Sequence, residues 1–158
     1  MSPAVRKVVF AQMTQEDAEE VADWRYEPPY DFYDARADET DLAHLLNPAR
    51  RENRAFSARD PAGELVGFFT YKRDGDTIVV GLGLRPDLTG QGFGTSFVEQ
   101  GLDFARARFA PTRFRLDVAE FNERAAKVYE RAGFTRTRSF EEQTNGATYP
   151  FFEMERPA

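Results

Sequence analysis

The sequence predicts an α/β protein in which one mixed sheet of about seven strands is flanked by four helices. Hydrophobic residues recur with a period of two in some segments and with a helical period in others. Three consecutive strand segments are joined by turns too short for a crossover, which indicates antiparallel neighbours. The chain has 158 residues. This length suits one core and leaves no room for two, so residues 1–158 are expected to form a single domain.

The first half of the chain is predicted to contain a strand, two helices and three more strands. Residues 7–13 are apolar and β-branched, which is typical of a strand. Thr14 followed by Asp17 is typical of a helix start, and the Pro28-Pro29 pair ends that helix. A second helix is expected over residues 39–46. The meander that follows is expected to use strands over residues 54–59, 64–73 and 76–84.

The second half is predicted to contain two helices and three strands. From Gly92 the apolar residues follow a helical period through Phe97, Leu102 and Phe109, and Pro111 follows that helix. Gly133 provides the stop of a second helix. The remaining elements are expected over residues 113–118 (strand), 122–132 (helix), 135–142 and 148–155 (strands).

Composition excludes several functional classes. The chain has no cysteine and a single histidine, His44, to which no role is assigned, and we expect no metal site. No apolar run approaches the ~20 residues of a membrane span. The start of the chain, residues 1–7, lacks the apolar core of a secretory signal, which predicts a cytoplasmic protein. The net charge of −6 argues against a nucleic-acid partner.

The charges are distributed unevenly. Residues 14–41 carry eleven acids and two bases, and residues 105–138 carry nine bases and four acids. This pattern suits a cation at one end of the molecule and an anion at the other. Two solvated helix faces of opposite sign are the alternative interpretation.

A glycine-rich turn joins the meander to the long helix. It reads Leu88-Thr89-Gly90-Gln91-Gly92-Phe93-Gly94-Thr95. Glycines let a backbone approach a ligand closely, and a helix N-terminus favours anions, so this turn is a candidate phosphate site. It lacks the lysine of a Walker A loop and the third glycine of a Rossmann fingerprint. An ordinary glycine-rich turn is the alternative.

Two further motifs favour a ligand site. Gly81 and Gly83 interrupt the preceding strand, where interior glycine marks a bulge or a close backbone approach. Asn122, Ala125, Tyr129 and the Gly133-Phe134 pair follow the pattern N-x-x-A-x-x-x-Y-x-x-x-G-F. Asn122 and Tyr129 are two helical turns apart and therefore share one helix face.

These motifs together resemble those of the GNAT-type N-acetyltransferases over nearly the whole chain, and the sequence is most similar to the ribosomal-protein-alanine N-acetyltransferase branch. Residues 89–94 match the pyrophosphate loop of the family, although Thr89 replaces its usual glutamine or arginine. The resemblance implies the GNAT acyl-CoA N-acyltransferase fold, acetyl-CoA as cosubstrate and direct transfer to a primary amine. It implies that acetyl-CoA is bound by Leu82, Gly83, Leu84, Thr89, Gly90, Gln91, Gly92, Phe93, Gly94, Thr95, Asn122 and Ala125.

The resemblance also assigns two catalytic residues. Tyr129 falls at the general acid that protonates the leaving thiolate, and a packed aromatic is the alternative. Asp117 lies five residues before the motif asparagine, where the branch has a glutamate base. Because aspartate is one methylene shorter, we expect a proton relay through water. The alternative for Asp117 is a polar partner of Arg115 or of a neighbouring strand, and the alternative for the proton is a water chain with no single base.

The acceptor site is expected in the segment after the first helix. Five aromatics are interleaved with three acids across residues 24–34, which suits a small cationic amine or a protein N-terminus. Aromatics that pack a surface loop are the alternative. The residues expected to contact the acceptor are Trp24, Tyr26, Glu27, Tyr30, Asp31 and Tyr149, and Asn145 is a further candidate.

Two other classes of function remain open at the level of sequence. One is a catalytically silent acyl-CoA-binding or sensing module of the same fold. The other is a different nucleotide-binding protein that uses the same loop. The exposed terminal strands would also permit a homodimer.

Overall fold

The structure of the protein is a computed structural model that describes residues 7–158. Residues 1–6, which carry most of the sequence argument against a signal segment, lie outside the described residues. Within residues 7–158, no helix is long and apolar enough to cross a bilayer.

Within residues 7–158, seven strands form one mixed sheet, as the sequence predicts, and their order in the sheet is β1-β2-β3-β4-β5-β7-β6. The strands are β1 (Val9–Gln12), β2 (Ala55–Arg59), β3 (Leu65–Asp74), β4 (Thr77–Leu84), β5 (Arg113–Ala119), β6 (Thr135–Thr144) and β7 (Ala147–Pro157). The β2-β3-β4 meander is antiparallel, which confirms the prediction from its short turns. Among the strands of the described residues, only β4 and β5 are parallel neighbours.

The described residues contain five α-helices where the sequence predicts four. They are α1 (Gln15–Ala22), α2 (Glu39–Leu46), α3 (Pro48–Arg51), α4 (Gly94–Phe109) and α5 (Glu123–Arg131). The additional helix, α3, is a single turn that Asn47 caps by accepting a hydrogen bond from the Ala49 N–H, with Pro48 at its first position. The predicted stop at Asn47-Pro48 is therefore the end of α2 and the start of another helix.

Helix α1 ends earlier than the proline pair suggests. Thr14 caps its start, as predicted, but the helix stops at Ala22. Residues 24–34, here called the aromatic segment, then run in irregular backbone and a short 3₁₀ helix at Tyr30–Tyr33. The aromatic segment therefore leaves the helix axis and crosses toward the sheet.

Helices cover both faces of the sheet. One face carries a phenylalanine-rich core that α4 and α5 cover, in which the ring centroids of Phe69 and Phe97 lie 4.8 Å apart. The other face carries a smaller core of β2 and β3 residues against α1 and the aromatic segment, centred on Val21, Trp24 and Leu65. The strands of the meander therefore lie between the two cores.

The sheet splits at its centre. Strands β4 and β5 pair only where Thr77, Ile78 and Val79 face Arg113, Phe114 and Arg115. Beyond these three pairs, β4 continues to Leu84 and β5 to Ala119 without pairing to each other. The backbone edges that face each other across this gap therefore have no strand partners among residues 7–158, and the gap forms the floor of a cavity.

Gly101 allows α4 to lie close to β3, and replacing it with alanine should destabilise the protein by up to about 2 kcal/mol, after an overpacking cost of about 1–3 kcal/mol. A Cβ atom at this position would overlap the buried ring of Phe69, and the Gly101 carbonyl also accepts a 2.7 Å hydrogen bond from the Tyr71 hydroxyl. The helix-propensity gain of about 1 kcal/mol is smaller than this overpacking cost. Denaturant unfolding measures the change, with Ala107→Ser, at an exposed site of α4, as the control expected within about 0.5 kcal/mol of the original. A Gly101→Ala protein as stable as the original would contradict the close packing.

Candidate active site

A cavity of about 1240 Å³ lies over the split between β4 and β5. Its walls are the free edge of β4, the glycine-rich turn with the start of α4, the outward face of α5, and the aromatic segment with α2. Ten of the twelve residues expected to bind acetyl-CoA line it: Leu82, Gly83, Leu84, Thr89, Gly90, Gly92, Gly94, Thr95, Asn122 and Ala125. The cavity therefore brings together segments that are far apart in sequence.

Two residues of the glycine-rich turn lie outside the lining of this cavity. The Phe93 side chain is 3% exposed and packs in the core 5.5 Å from the Phe97 ring. The Gln91 side chain is exposed and donates a 2.6 Å hydrogen bond to the Asp87 carbonyl. Both side chains stabilise the turn rather than face the cavity.

The glycine-rich turn presents backbone donors to the cavity. Gly90 and Gly92 have φ values of 73° and 80°, which side-chain-bearing residues rarely adopt. Helix α4 begins at Gly94, and no side chain in the described part of the protein caps its first turn. The N–H groups of a first helical turn have no partners within the helix, and the helix dipole makes that end positive. The turn can therefore accept an anionic group.

Gly81 and Gly83 do not form a bulge. The β3–β4 ladder keeps its register through every pair from Gly67–Leu84 to Asp74–Thr77, which corrects the bulge expected from these glycines. A Cβ atom would overlap the Thr70 side chain at Gly81 and the Phe68 ring at Gly83. The glycines make room for side chains of the neighbouring strand β3, and both glycines line the cavity.

Tyr129 lines the cavity from α5, two turns after the Asn122 cap. Among residues 7–158 its hydroxyl has no hydrogen-bond partner, whereas the hydroxyls of Tyr26 and Tyr71 donate to the carbonyls of Leu84 and Gly101. Burial raises the pKa of Tyr129, and the neighbouring Tyr33 raises it further. Tyr129 is thus a protonated phenol with a free donor in the cavity.

Asn122 is occupied by contacts within the protein. Its side-chain oxygen accepts from the Ala125 N–H at 3.1 Å and caps α5, and its amide donates to the Tyr33 hydroxyl at 3.1 Å. Tyr33 thereby joins the aromatic segment to α5 beside Tyr129. Sequence analysis did not select Tyr33, because no helical or strand period connects it to the motif.

Asp117 lines the cavity from β5, across the split from β4. Burial raises the pKa of this carboxyl, the Arg115 guanidinium lowers it, and the carboxylates of Glu153 and Glu142 raise it again. No ion pair within 4.0 Å forms between Asp117 and any described base, because Arg115 pairs with Asp74 and Glu153 instead. The alternative of an Arg115 ion pair is therefore absent from the described residues.

The aromatic segment closes the cavity on the side opposite α5. Of the residues expected to contact the acceptor, Trp24, Tyr26 and Tyr30 line the cavity, and the Tyr26 hydroxyl donates a 2.6 Å hydrogen bond to the Leu84 carbonyl at the end of β4. Glu27 and Asp31 are exposed and lie outside the cavity lining. The carboxylates that line this side are Asp34 and Asp41, which sequence analysis did not select.

The β6–β7 turn closes the cavity at one end, where Asn145 is part of the lining and Tyr149 is not. The Asn145 amide donates to the Phe32 carbonyl at 2.7 Å, and its backbone N–H donates to Asp38 at 2.9 Å. The Tyr149 ring packs 4.9 Å from the Phe32 ring and does not line the cavity. Asn145 and Tyr149 therefore attach this turn to the aromatic segment and the start of α2.

The charge of the cavity is opposite to that of the chain. Its lining contains seven bases and three acids, although the chain has a net charge of −6. The bases are Arg50, Arg51, Arg54, Lys72, Arg124, Lys127 and Arg131. The excess of positive charge favours an anionic ligand.

Comparisons with known proteins identify relatives of this chain. Residues 14–134 match the family model for acetyltransferases of the GNAT family. A mycothiol acetyltransferase from Salinispora tropica is 36% identical over 102 residues, which are 56% of this chain and 33% of that protein. One from Propionibacterium freudenreichii is 40% identical over 83 residues, or 49% of this chain and 26% of that protein. The chain spans about a third or less of the length of these curated relatives.

Solved structures share the fold at low sequence identity. A spermidine N-acetyltransferase from Vibrio cholerae in complex with CoA and spermine superposes with a TM-score of 0.76 at 19% identity, covering 95% of each chain. A GNAT-family acetyltransferase from Bacillus anthracis superposes with a TM-score of 0.73 at 16% identity, covering 98% of this chain and 96% of that one. At these identities the likeness establishes the fold, whereas the branch within the family remains a prediction.

Proposed function

The chain belongs to the GNAT acetyltransferase family, and from this premise we propose that it transfers the acetyl group of acetyl-CoA directly to an amine. The observation that carries this proposal is the cavity itself, where a glycine-rich helix start, an unpaired strand edge and a free tyrosine hydroxyl meet. The proposed catalytic unit is the single domain of residues 1–158. We take the active site to be the split between β4 and β5.

The residues of the cavity suit acetyl-CoA as the cosubstrate. The backbone N–H groups at the start of α4 would bind its diphosphate, and the excess of basic lining residues would favour its negative charge. The flat edge of β4 from Gly81 to Leu84 would pair with the amide groups of its pantetheine arm. When bound, acetyl-CoA supplies a thioester carbonyl that an amine can attack.

Asp117 is the proposed proton acceptor for the incoming amine. An alkylammonium group has a pKa of roughly 10, so it must lose a proton before its nitrogen can form the new bond to the acetyl carbon. The Asp117 carboxylate lines the cavity on the opposite side of the split from β4 and has no ion-pair partner among the described residues. We infer that it accepts this proton through a water molecule.

Tyr129 is the proposed proton donor. As the carbon–sulfur bond breaks, a phenol proton passes from the Tyr129 oxygen to the departing thiolate sulfur. The raised pKa of this phenol keeps it protonated at neutral pH, and its hydroxyl has no competing partner among residues 7–158. No covalent enzyme intermediate is needed.

The proposed acceptor is a small cationic amine or a protein N-terminus. Asp34 and Asp41 line the acceptor side beside the rings of Trp24 and Tyr26, and carboxylates and aromatic faces both attract an ammonium group. Burial and the neighbouring Asp38 carboxylate raise the pKa of Asp41. A cationic ligand would lower it, so binding and ionisation of Asp41 should be coupled.

Release of free CoA from acetyl-CoA in the presence of amine pools tests the proposed function. The pools are polyamines, aminoglycosides, amino acids and N-terminal peptides, and we expect release with a cationic pool. A raised melting temperature with acetyl-CoA but no release from any pool would favour the alternative, a silent acyl-CoA-binding module. If acetyl-CoA neither releases CoA nor raises the melting temperature, both the acetyltransferase and the silent acyl-CoA-binding module are overturned. If ATP competes for the cavity more strongly than CoA does, the protein is a different nucleotide-binding protein.

A further inference from the structure

Arg124 reaches from α5 across the cavity to the glycine-rich turn. It lies in the first turn of α5, and its Cζ atom lies 3.8 Å from the centroid of the Tyr30 ring. Its Nη1 atom lies 3.8 Å from the position that a Cβ atom of Gly90 would occupy. The guanidinium is thus held between the aromatic segment and the turn, at the mouth of the cavity.

The turn has no cation of its own. Residues 88–95 contain no lysine or arginine, and the Thr89 hydroxyl donates a 2.8 Å hydrogen bond to the Pro86 carbonyl. An anion bound there would be neutralised only by backbone dipoles. Arg124 brings a full positive charge to this position, and no described carboxylate lies within 4.0 Å of it. Its charge is therefore available to a ligand.

The contact with Tyr30 leaves the donors of Arg124 free. A guanidinium that lies over an aromatic ring uses its face, whereas its five N–H groups point outward in its plane. Tyr30 is itself supported by Phe121, with ring centroids 6.3 Å apart. The contact with the ring therefore restricts the position of the guanidinium and leaves its N–H donors unused.

We propose that Arg124, positioned by Tyr30, binds the diphosphate of the CoA cosubstrate opposite the glycine-rich turn. This inference rests on the proposed function, because it assigns a residue to the same site. It makes Arg124 the side chain that supplies the charge missing at Thr89. It also gives the aromatic segment a role at the cosubstrate as well as at the acceptor.

Isothermal titration of the full chain with CoA and with dephospho-CoA, which lacks the 3′-phosphate, tests this proposal without an activity readout. Arg124→Gln should raise the Kd for both ligands equally, by about tenfold or more, because a charge-assisted contact to the diphosphate is lost. Arg124→Lys should retain part of the affinity, since lysine keeps the charge but not the planar fork. Arg113→Gln, which removes the same charge from an exposed residue paired with Glu155, is the control and should leave both values within about twofold.

Two further variants test the positioning role. Tyr30→Phe keeps the ring and should preserve the affinity, whereas Tyr30→Leu removes the ring and should weaken CoA binding about threefold or more. In the Arg124→Gln background, Thr89→Arg should restore part of the lost affinity by placing a cation on the turn itself. Melting temperatures close to the original would show that each variant is folded.

The outcomes separate the two proposals. If the original protein binds CoA and Arg124→Gln binds it equally well, the assignment of Arg124 fails and the proposed function stands. If the loss appears with CoA but not with dephospho-CoA, Arg124 contacts the 3′-phosphate and the diphosphate assignment is overturned. If the original protein binds neither ligand, the proposed function fails together with this inference.

Discussion

Replacing Tyr129 with phenylalanine should lower kcat for acetyl transfer by about 100-fold or more. The change removes one oxygen atom that has no hydrogen-bond partner among the described residues, so it should cost little stability. Without the phenol proton the thiolate must leave unprotonated or take its proton from water. The affinity for acetyl-CoA should change less than about threefold, because the ring itself is kept. Steady-state kinetics with the acceptor found in the pooled assay measure the effect.

Tyr71→Phe is the matched control for this change. It removes the same atom from another tyrosine, whose hydroxyl donates to the Gly101 carbonyl in the core. That loss should reduce stability by about 1 kcal/mol and leave kcat within about threefold. A Tyr129→Phe enzyme as fast as the Tyr71→Phe enzyme would exclude Tyr129 as the proton donor.

Much of the fold could be predicted from local patterns. Alternation of Phe114, Leu116 and Val118 indicates a strand with one buried face, and the structure buries all three. Short turns fix the antiparallel meander because they cannot span a crossover. Helix α3 was missed because Pro48 both ends α2 and starts a new turn, so one residue carries two opposite signals.

The site was predictable where the backbone creates it and less so where side chains meet across the fold. The glycine-rich turn and the N-x-x-A-x-x-x-Y helix are local motifs, and both line the cavity. The acidic side of the cavity depends on how the irregular aromatic segment turns, which no period encodes. Composition alone pointed to Glu27 and Asp31, whereas the chain path directs Asp34 and Asp41 to the cavity instead.

The two glycines of β4 show the same limit of prediction from local sequence patterns. The sequence marks Gly81 and Gly83 as unusual, and a bulge is one common cause of such interruptions. The actual cause is the packing of Thr70 and Phe68 from β3 across their positions. A cross-strand contact of this kind depends on register, which the sequence does not specify until the turn geometry is known.

Asp117→Asn should lower kcat/KM about 100-fold at pH 7, and the loss should shrink as the pH approaches the pKa of the acceptor amine, roughly 10 for an alkylamine and roughly 8 for a protein N-terminus. At neutral pH the amine is an ammonium ion and needs a base, but near pH 10 much of it is already neutral. A purely structural defect would lower activity equally at every pH. The pH dependence of kcat/KM therefore separates a base from a packing residue.

The low-pH part of the kcat/KM profile provides a second test of Asp117 as the base. Burial raises the pKa of Asp117 above its ordinary value of about 3.9, so the carboxylate is protonated and lost as a base when the pH falls through that raised pKa. The original enzyme should lose activity there, and Asp117→Asn should lack this acidic limb. Asp74→Asn is the control, because Asp74 lies outside the cavity lining and forms the 3.0 Å ion pair with Arg115, the base whose charge lowers the pKa of Asp117. An acidic limb that persists unchanged in Asp117→Asn would mean that the proton leaves along a path that does not use Asp117.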